Sequence, residues 1–99
     1  MNIKITARHF SASERLQGFA TESVQKLSKF YDGILDVDVV FSPYESHDEP
    51  QQSELVVAVA GQTLKASEQA ATYEIALNKA IDNMARQLVR YKEKRFVKS

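Results

Sequence analysis

From Glu68 to Arg95 the chain runs without a glycine or a proline, and Tyr73, Leu77, Ala80, Ile81, Met84, Leu88 and Tyr91 recur along it at helical spacing. A segment this long with a single apolar stripe has to be an amphipathic helix, and the stripe has to be covered by another apolar surface. The rest of the chain must supply that surface. Ile3-Lys4-Ile5-Thr6-Ala7-Arg8 alternates apolar and polar residues, which predicts a strand ending near Arg8 with Ile3 and Ile5 facing inward. Ser11-Ala12-Ser13-Glu14 fits a capping box in which the Ser11 hydroxyl accepts from the Glu14 amide. A helix to about Phe30 follows, with Leu16, Phe19, Ala20, Val24, Leu27 and Tyr31 on one stripe.

Asp32-Gly33 offers a stop to that helix, glycine being able to take the left-handed conformation that closes many helices. A strand is expected at roughly 34–42, burying Leu35, Val37, Val39 and Phe41 and turning Asp36, Asp38, Val40 and Ser42 to the other face. The stretch from Ser42 to Gln52 holds both prolines and Glu45, Asp48 and Glu49, and reads as an exposed loop. Glu54 to Ala60 and Gln62 to Ser67 read as strands joined by a hairpin at Gly61, and the last helix is expected over about Glu68 to Arg95. The order β-α-β-β-β-α predicts an α+β fold. It is a two-layer sandwich: a four-stranded mixed sheet with both helices on one face, the first helix crossing between parallel strands. Ninety-nine residues suit one domain over 1–99, with a basic C-terminal end from about 92.

The chain has no cysteine, which excludes disulfides and cysteine-ligated metals. No stretch approaches the ~18 apolar residues of a membrane span, and neither export nor membrane insertion is expected; a cytoplasmic location fits. Net charge is zero, but its distribution is uneven. Residues 1–31 carry five Lys/Arg and two Asp/Glu, residues 32–64 carry no Lys/Arg and seven Asp/Glu, and residues 65–99 carry eight Lys/Arg and four Asp/Glu. Such blocks predict a bipolar molecule with one side suited to phosphate.

At 100° per residue, Lys79, Arg86, Arg90 and Lys94 fall within about 80° of one another on the last helix, nearly opposite its apolar stripe. Lys92, Arg95 and Lys98 extend the positive charge, and Lys26 and Lys29 of the first helix could join it. Lysine and arginine in a last helical turn also stabilise a helix simply by opposing its dipole. The excess of bases over mixed pairs and the segregation of acids favour a surface that binds RNA phosphates. Tyr73 and Tyr91 could stack on bases, but both lie on the apolar stripe and are expected in the core. His9 and His47 have no metal-ligand spacing, the three glycines are scattered, and no serine has a base at fixed spacing. Neither catalysis, a metal, a cofactor nor a small-molecule substrate is expected. An alternative of another class is a protein–protein interaction module using the acidic loop or the open sheet face, where Val40, Val56 and Ala58 are expected.

Ala80-Ile81-Asp82-Asn83-Met84-Ala85-Arg86-Gln87-Leu88, followed by Arg90-Tyr91-Lys92-Glu93-Lys94, resembles the short ribosome hibernation promoting factors, a family that includes the ribosome-associated inhibitor protein Y. Gln25-Lys26-Leu27-Ser28-Lys29-Phe30-Tyr31 and Leu64-Lys65-Ala66-Ser67 are similar to the same family, and the likeness spans nearly all of residues 1–95. The resemblance implies a stress or stationary-phase protein that sits against 16S rRNA in the mRNA and tRNA channel of the small ribosomal subunit and inhibits translation. By matching position it implies rRNA contacts at Lys26, Lys29, Arg86, Arg90 and Lys94. Lys79, Lys92 and Arg95 extend that surface by helical geometry, and Arg8 is a further candidate at a strand end. The chain looks like the short form, expected as a monomer when free.

Overall fold

The computed structural model describes residues 1–96, with side chains described as far as Lys94. Its elements are β1 (Asn2–Ala7), α1 (Glu14–Gln25) continued by a 3₁₀ turn (Lys26–Lys29), β2 (Asp36–Pro43), β3 (Gln51–Val59), β4 (Gln62–Ala70) and α2 (Tyr73–Phe96). The four strands form one sheet in the order β1-β2-β3-β4. β1 and β2 are parallel, and β2–β3 and β3–β4 are antiparallel. This is the expected two-layer α+β arrangement, with α1 as the crossover that a parallel pair requires.

The pleat divides the sheet cleanly. Val37, Val39 and Phe41 of β2 and Leu55, Val57 and Val59 of β3 turn toward the helices and meet Leu16, Ala20, Val24 and Leu27 from the first helix and Leu77, Ala80, Met84, Leu88 and Tyr91 from α2. Ser53 also faces this core and is fully buried; its hydroxyl donates to the Tyr73 carbonyl at 2.9 Å, so no polar atom is stranded. Tyr73 lies flat on Phe10, with ring centroids 4.8 Å apart, and edge-on to Phe41 at 5.3 Å. Tyr73 and Tyr91 are therefore packed residues, and burial pushes the Tyr73 phenol above its usual pKa by disfavouring phenolate.

Several local expectations change. The N-cap of α1 is Ser13, whose Oγ accepts from the Leu16 amide at 3.1 Å, and not Ser11. Helical geometry starts at Glu14, directly after Ser13, so Ser11 lies outside the first turn; ahead of it the chain takes a positive φ of 69° at His9. Ser13→Ala should cost about 1 kcal/mol in urea unfolding, whereas Ser11→Ala should change it by less than about 0.5 kcal/mol. The α-helix also stops at Gln25 rather than near Phe30, and tightens into the 3₁₀ turn. Gly33 is not left-handed; its lack of a side chain matters because a Cβ there would collide with the Tyr31 ring. Gly61, at φ 83°, does take the left-handed conformation at the β3–β4 hairpin.

Leu35 was expected inside and is 55% exposed; Ile34 is buried. Leu35 is still hydrogen-bonded to both neighbouring strands, its amide donating to the Ala58 carbonyl and its carbonyl accepting from the Asn2 amide, but it stands at the end of the sheet, where the alternation no longer buries the side chain. Pairing of β3 with β4 runs further than the alternation suggests, from Gln51↔Ala70 to Val59↔Gln62, which takes Glu68, Gln69 and Ala70 out of the expected helix. The loop shrinks accordingly to residues 44–50. α2 begins instead at Tyr73, where the Thr72 hydroxyl accepts from the Ile75 amide and the Gln51 side-chain carbonyl accepts from the Tyr73 amide at 2.7 Å. On the open sheet face Val40 is only 9% exposed, lying on an interior strand between Thr6 and Glu54, while Val56 and Ala58 are half-buried.

Candidate nucleic-acid interface

Chain direction decides which basic residues meet. At one end of the sheet Ala7, Phe41, Ser53 and Glu68 lie side by side, and α2 starts there because Tyr73 packs on Phe41 and Phe10. At the other end Asn2, Asp36, Ala58 and Thr63 align next to the Gly61 hairpin, and α2 arrives there, its Tyr91 hydroxyl donating to the Ala60 carbonyl at 2.7 Å. α1 returns from β1 to the start of β2 and so runs the same way as α2. The two helices finish together, with Tyr31 edge-on to Tyr91 at 5.4 Å.

Lys26 and Lys29 of the 3₁₀ turn are thereby brought to the same end of the molecule as Arg86, Arg90, Lys92 and Lys94 of α2, and all six are exposed. Two helix C-termini meet at this end, and their partial negative charges favour cations there. None of the six lies within 4 Å of a carboxylate among the described residues. Their charges are available to an external anion. The Arg95 side chain and Lys98 lie outside the described residues.

Two candidates are placed elsewhere. Arg8 follows β1 at the opposite end, its amide donating to the Phe41 carbonyl. At 1.5 Å per residue, the helix separates the Tyr73 end from Arg90 by about 25 Å. Lys79 is near that same distant end and is engaged: its Nζ donates to the Gln69 carbonyl at 2.6 Å and lies 3.4 Å from a Glu49 carboxylate oxygen, the one ion pair among the described residues. The acidic loop thus sits beside Lys79 and away from the six-residue cluster.

Lys79 is the first of a column at four-residue spacing that ties α2 to β4. Asn83 donates to the Glu68 carboxylate, Gln87 donates to the Lys65 carbonyl and to Asn83, and Tyr91 reaches the hairpin. Sequence reasoning passed over Asn83 and Gln87; long polar side chains at i, i+4 beside the apolar stripe were the signal that could have found them. The column fixes the rotation of α2, and Arg86 and Arg90, each one residue before a member of it, are held just outside the tie. Beyond it, Gln62, Leu64, Gln87, Arg90, Tyr91 and Lys94 line a groove of about 360 Å³. A second hollow is lined by Phe30, Ala85, Arg86, Val89 and Arg90. Phe30 and Val89 were also overlooked as surface features, although an apolar Val89 on the polar side of α2 was visible in the helical projection.

No group of three or more metal-ligating side chains is found among the described residues, and none of their helices is long and apolar enough to cross a membrane. A β-α-β-β-β-α sandwich whose two helices run parallel and end in one basic surface defines a compact class of α+β domain. Residues 3–95 match the Sigma 54 modulation protein / S30EA ribosomal protein family, and the chain belongs to it. It is 30% identical over 94 residues to the ribosome hibernation promoting factor of Escherichia coli strain K12, covering 95% of this chain and 96% of that protein, and equally so to the Shigella flexneri factor of the same name. The same fold is seen in the N-terminal domain of Thermus thermophilus protein Y (24% identity, TM-score 0.79, covering 92% of this chain and 99% of that one). It is seen again in a ribosomal subunit interface protein from Coxiella burnetii (17% identity, TM-score 0.84, 93% and 98% covered).

Proposed function

We propose that this protein binds the ribosome through the basic end of its helix layer, docking on 16S rRNA in the small subunit's mRNA and tRNA channel. Its bulk there excludes translation components, which inhibits initiation and holds ribosomes in hibernation during stress or stationary phase. The 99 residues act as one binding domain, without a cofactor and without making or breaking a bond. The observation that carries this reading is the gathering of Lys26, Lys29, Arg86, Arg90, Lys92 and Lys94 at one end, none of them ion-paired with a carboxylate among the described residues. Membership of a family described as ribosomal, with relatives named for ribosome hibernation, supplies the partner. Phosphates arrayed on rRNA are the anions such a surface fits, since each contact releases condensed counterions.

Cosedimentation with isolated small and large subunits tests the proposal. With about six phosphate contacts, affinity for the small subunit should fall by roughly three orders of magnitude between about 50 and 200 mM monovalent salt. Binding indifferent to salt, or equal binding to the large subunit, would sink it. Position on the surface also ranks the single variants. Lys79→Ala and Arg8→Ala should leave small-subunit affinity within about twofold, whereas Arg90→Ala should lower it by about fivefold or more, the loss expected for one charge-assisted contact of about 1 kcal/mol.

A further inference from the structure

The hollow between the 3₁₀ turn and α2 differs in character from the charged surface around it. Its lining is Phe30, Ala85 and Val89, walled by Arg86 and Arg90, with a volume of about 370 Å³. Phe30 is 39% exposed and Val89 41%, both large apolar groups left in contact with water beside two guanidinium groups. Phe30 is also held in place: its amide donates to the Leu27 carbonyl at 3.0 Å, closing the 3₁₀ turn, and the neighbouring Leu27 is fully buried. The aromatic ring is thus carried at the C-terminal cap of the 3₁₀ turn.

We propose that this slot receives one unpaired nucleobase of the bound RNA, its flat face against Phe30 and its flanking phosphates on Arg86 and Arg90. The inference rests on the RNA-binding reading above and names a contact that charge alone does not provide. A nucleobase has apolar faces and is joined to anionic phosphates, which matches an apolar floor bordered by two cations four residues apart on α2; a guanidinium plane can itself stack on a base. An amphipathic peptide with acidic flanks would match the charge but not the size. Such helices bind through anchors spread over positions i, i+3 or i+4, and i+7, about 10 Å along the helix, and the slot itself offers only Phe30 and Val89 as large apolar side chains. Apart from the guanidinium groups the lining has no side-chain hydrogen-bonding group, so recognition should be tolerant of base identity.

The test compares Phe30→Leu, which keeps the apolar volume but not the flat ring, with Phe30→Trp, which keeps the ring. On isolated small subunits Phe30→Leu should weaken binding by about fivefold or more, the lower end of the loss for one base–aromatic stack because leucine keeps part of the apolar contact, with the salt slope unchanged because no phosphate contact is lost. Phe30→Trp should bind at least as tightly as the parent. Fluorescence anisotropy of the full chain with a short single-stranded RNA and with an abasic ribose-phosphate strand of equal length should show tighter binding of the base-bearing strand, and Phe30→Leu should erase that difference. Parent-like binding by Phe30→Leu would overturn the proposal, as would equal affinity for the two strands. Phe30-dependent binding of an acidic amphipathic peptide, with the two strands alike, would assign the slot to a protein partner. Failure of the parent to bind small subunits at all would instead strike the RNA-binding reading itself.

Discussion

Reversing three charges on α2, with Arg86→Glu, Arg90→Glu and Lys94→Glu together, is expected to lower small-subunit affinity by at least about a hundredfold at physiological salt. Three contacts of about 1 kcal/mol each account for that factor before the new carboxylates are counted, and their repulsion from phosphate adds to it. The salt dependence should change as well. The slope of log affinity against log salt should fall by about three, since three phosphates would no longer be neutralised. The fold should survive, because all three side chains are exposed and none belongs to the Asn83–Gln87–Tyr91 tie. A thermal melt separates the two effects: the triple variant should lose no more than about 2 kcal/mol, part of it from an acid near the C-terminus of α2. A variant that remains folded and still binds with the parent's salt slope would mean that the ribosome contact lies elsewhere.

The largest loss of stability is expected from Phe41→Ala. Phe41 is fully buried in β2, edge-on to Tyr73, and Tyr73 in turn stacks on Phe10, so one ring supports the junction of β1, β2 and the start of α2. Removing a buried phenylalanine costs about 3–5 kcal/mol through lost transfer energy and the cavity left behind, a large share of the about 5–15 kcal/mol that holds a domain together. Urea denaturation should show the midpoint falling with little change in slope. Leu35→Ala, in the same sequence pattern but 55% exposed, should change stability by less than about 0.5 kcal/mol. Similar losses at the two positions would mean that Leu35 packs in solution.

The contrast between Phe41 and Leu35 shows how far alternation can be read. Period two identified β2 and its inward residues, because alternation reports a local backbone geometry that every residue in a paired strand shares. It failed at Leu35, which is backbone-bonded to both neighbours yet exposed at the sheet end, because alternation reports backbone geometry and not how far the helix layer covers the sheet. The capping-box pattern points to Ser11, but α1 starts at Glu14 and the Ser13 hydroxyl caps it; a short sequence pattern does not mark where helical geometry begins. Glu68-Gln69-Ala70 has good helix formers, yet pairing with Ser53, Gln52 and Gln51 across the hairpin outweighs propensities worth less than about 1 kcal/mol per residue.

Four of the candidate bases on α2, Lys79, Arg86, Arg90 and Lys94, looked equivalent on a helical wheel, and three of the four remain available at the basic end. Lys79 does not, because the lie of α2 across β4 puts its ammonium within reach of the Gln69 carbonyl and Glu49. A wheel records angle about one axis and carries no information on what stands beside each turn. The union of Lys26 and Lys29 with the α2 cluster likewise depends on the parallel run of the two helices, which follows from the β1–β2 pairing.

By itself the sequence determined the order of elements, the long amphipathic helix that demanded an apolar sheet, and the segregation of acids from bases, all of which are local periodicities or counts along the chain. Only the tertiary structure decided which cations share a surface, which are tied down, and that Phe30 and Val89 form an apolar slot among the arginines. Those outcomes depend on strand register and on the axial rotation of α2, and these are fixed by contacts between residues distant in the chain, such as Gln87 with Lys65 and Tyr91 with Ala60.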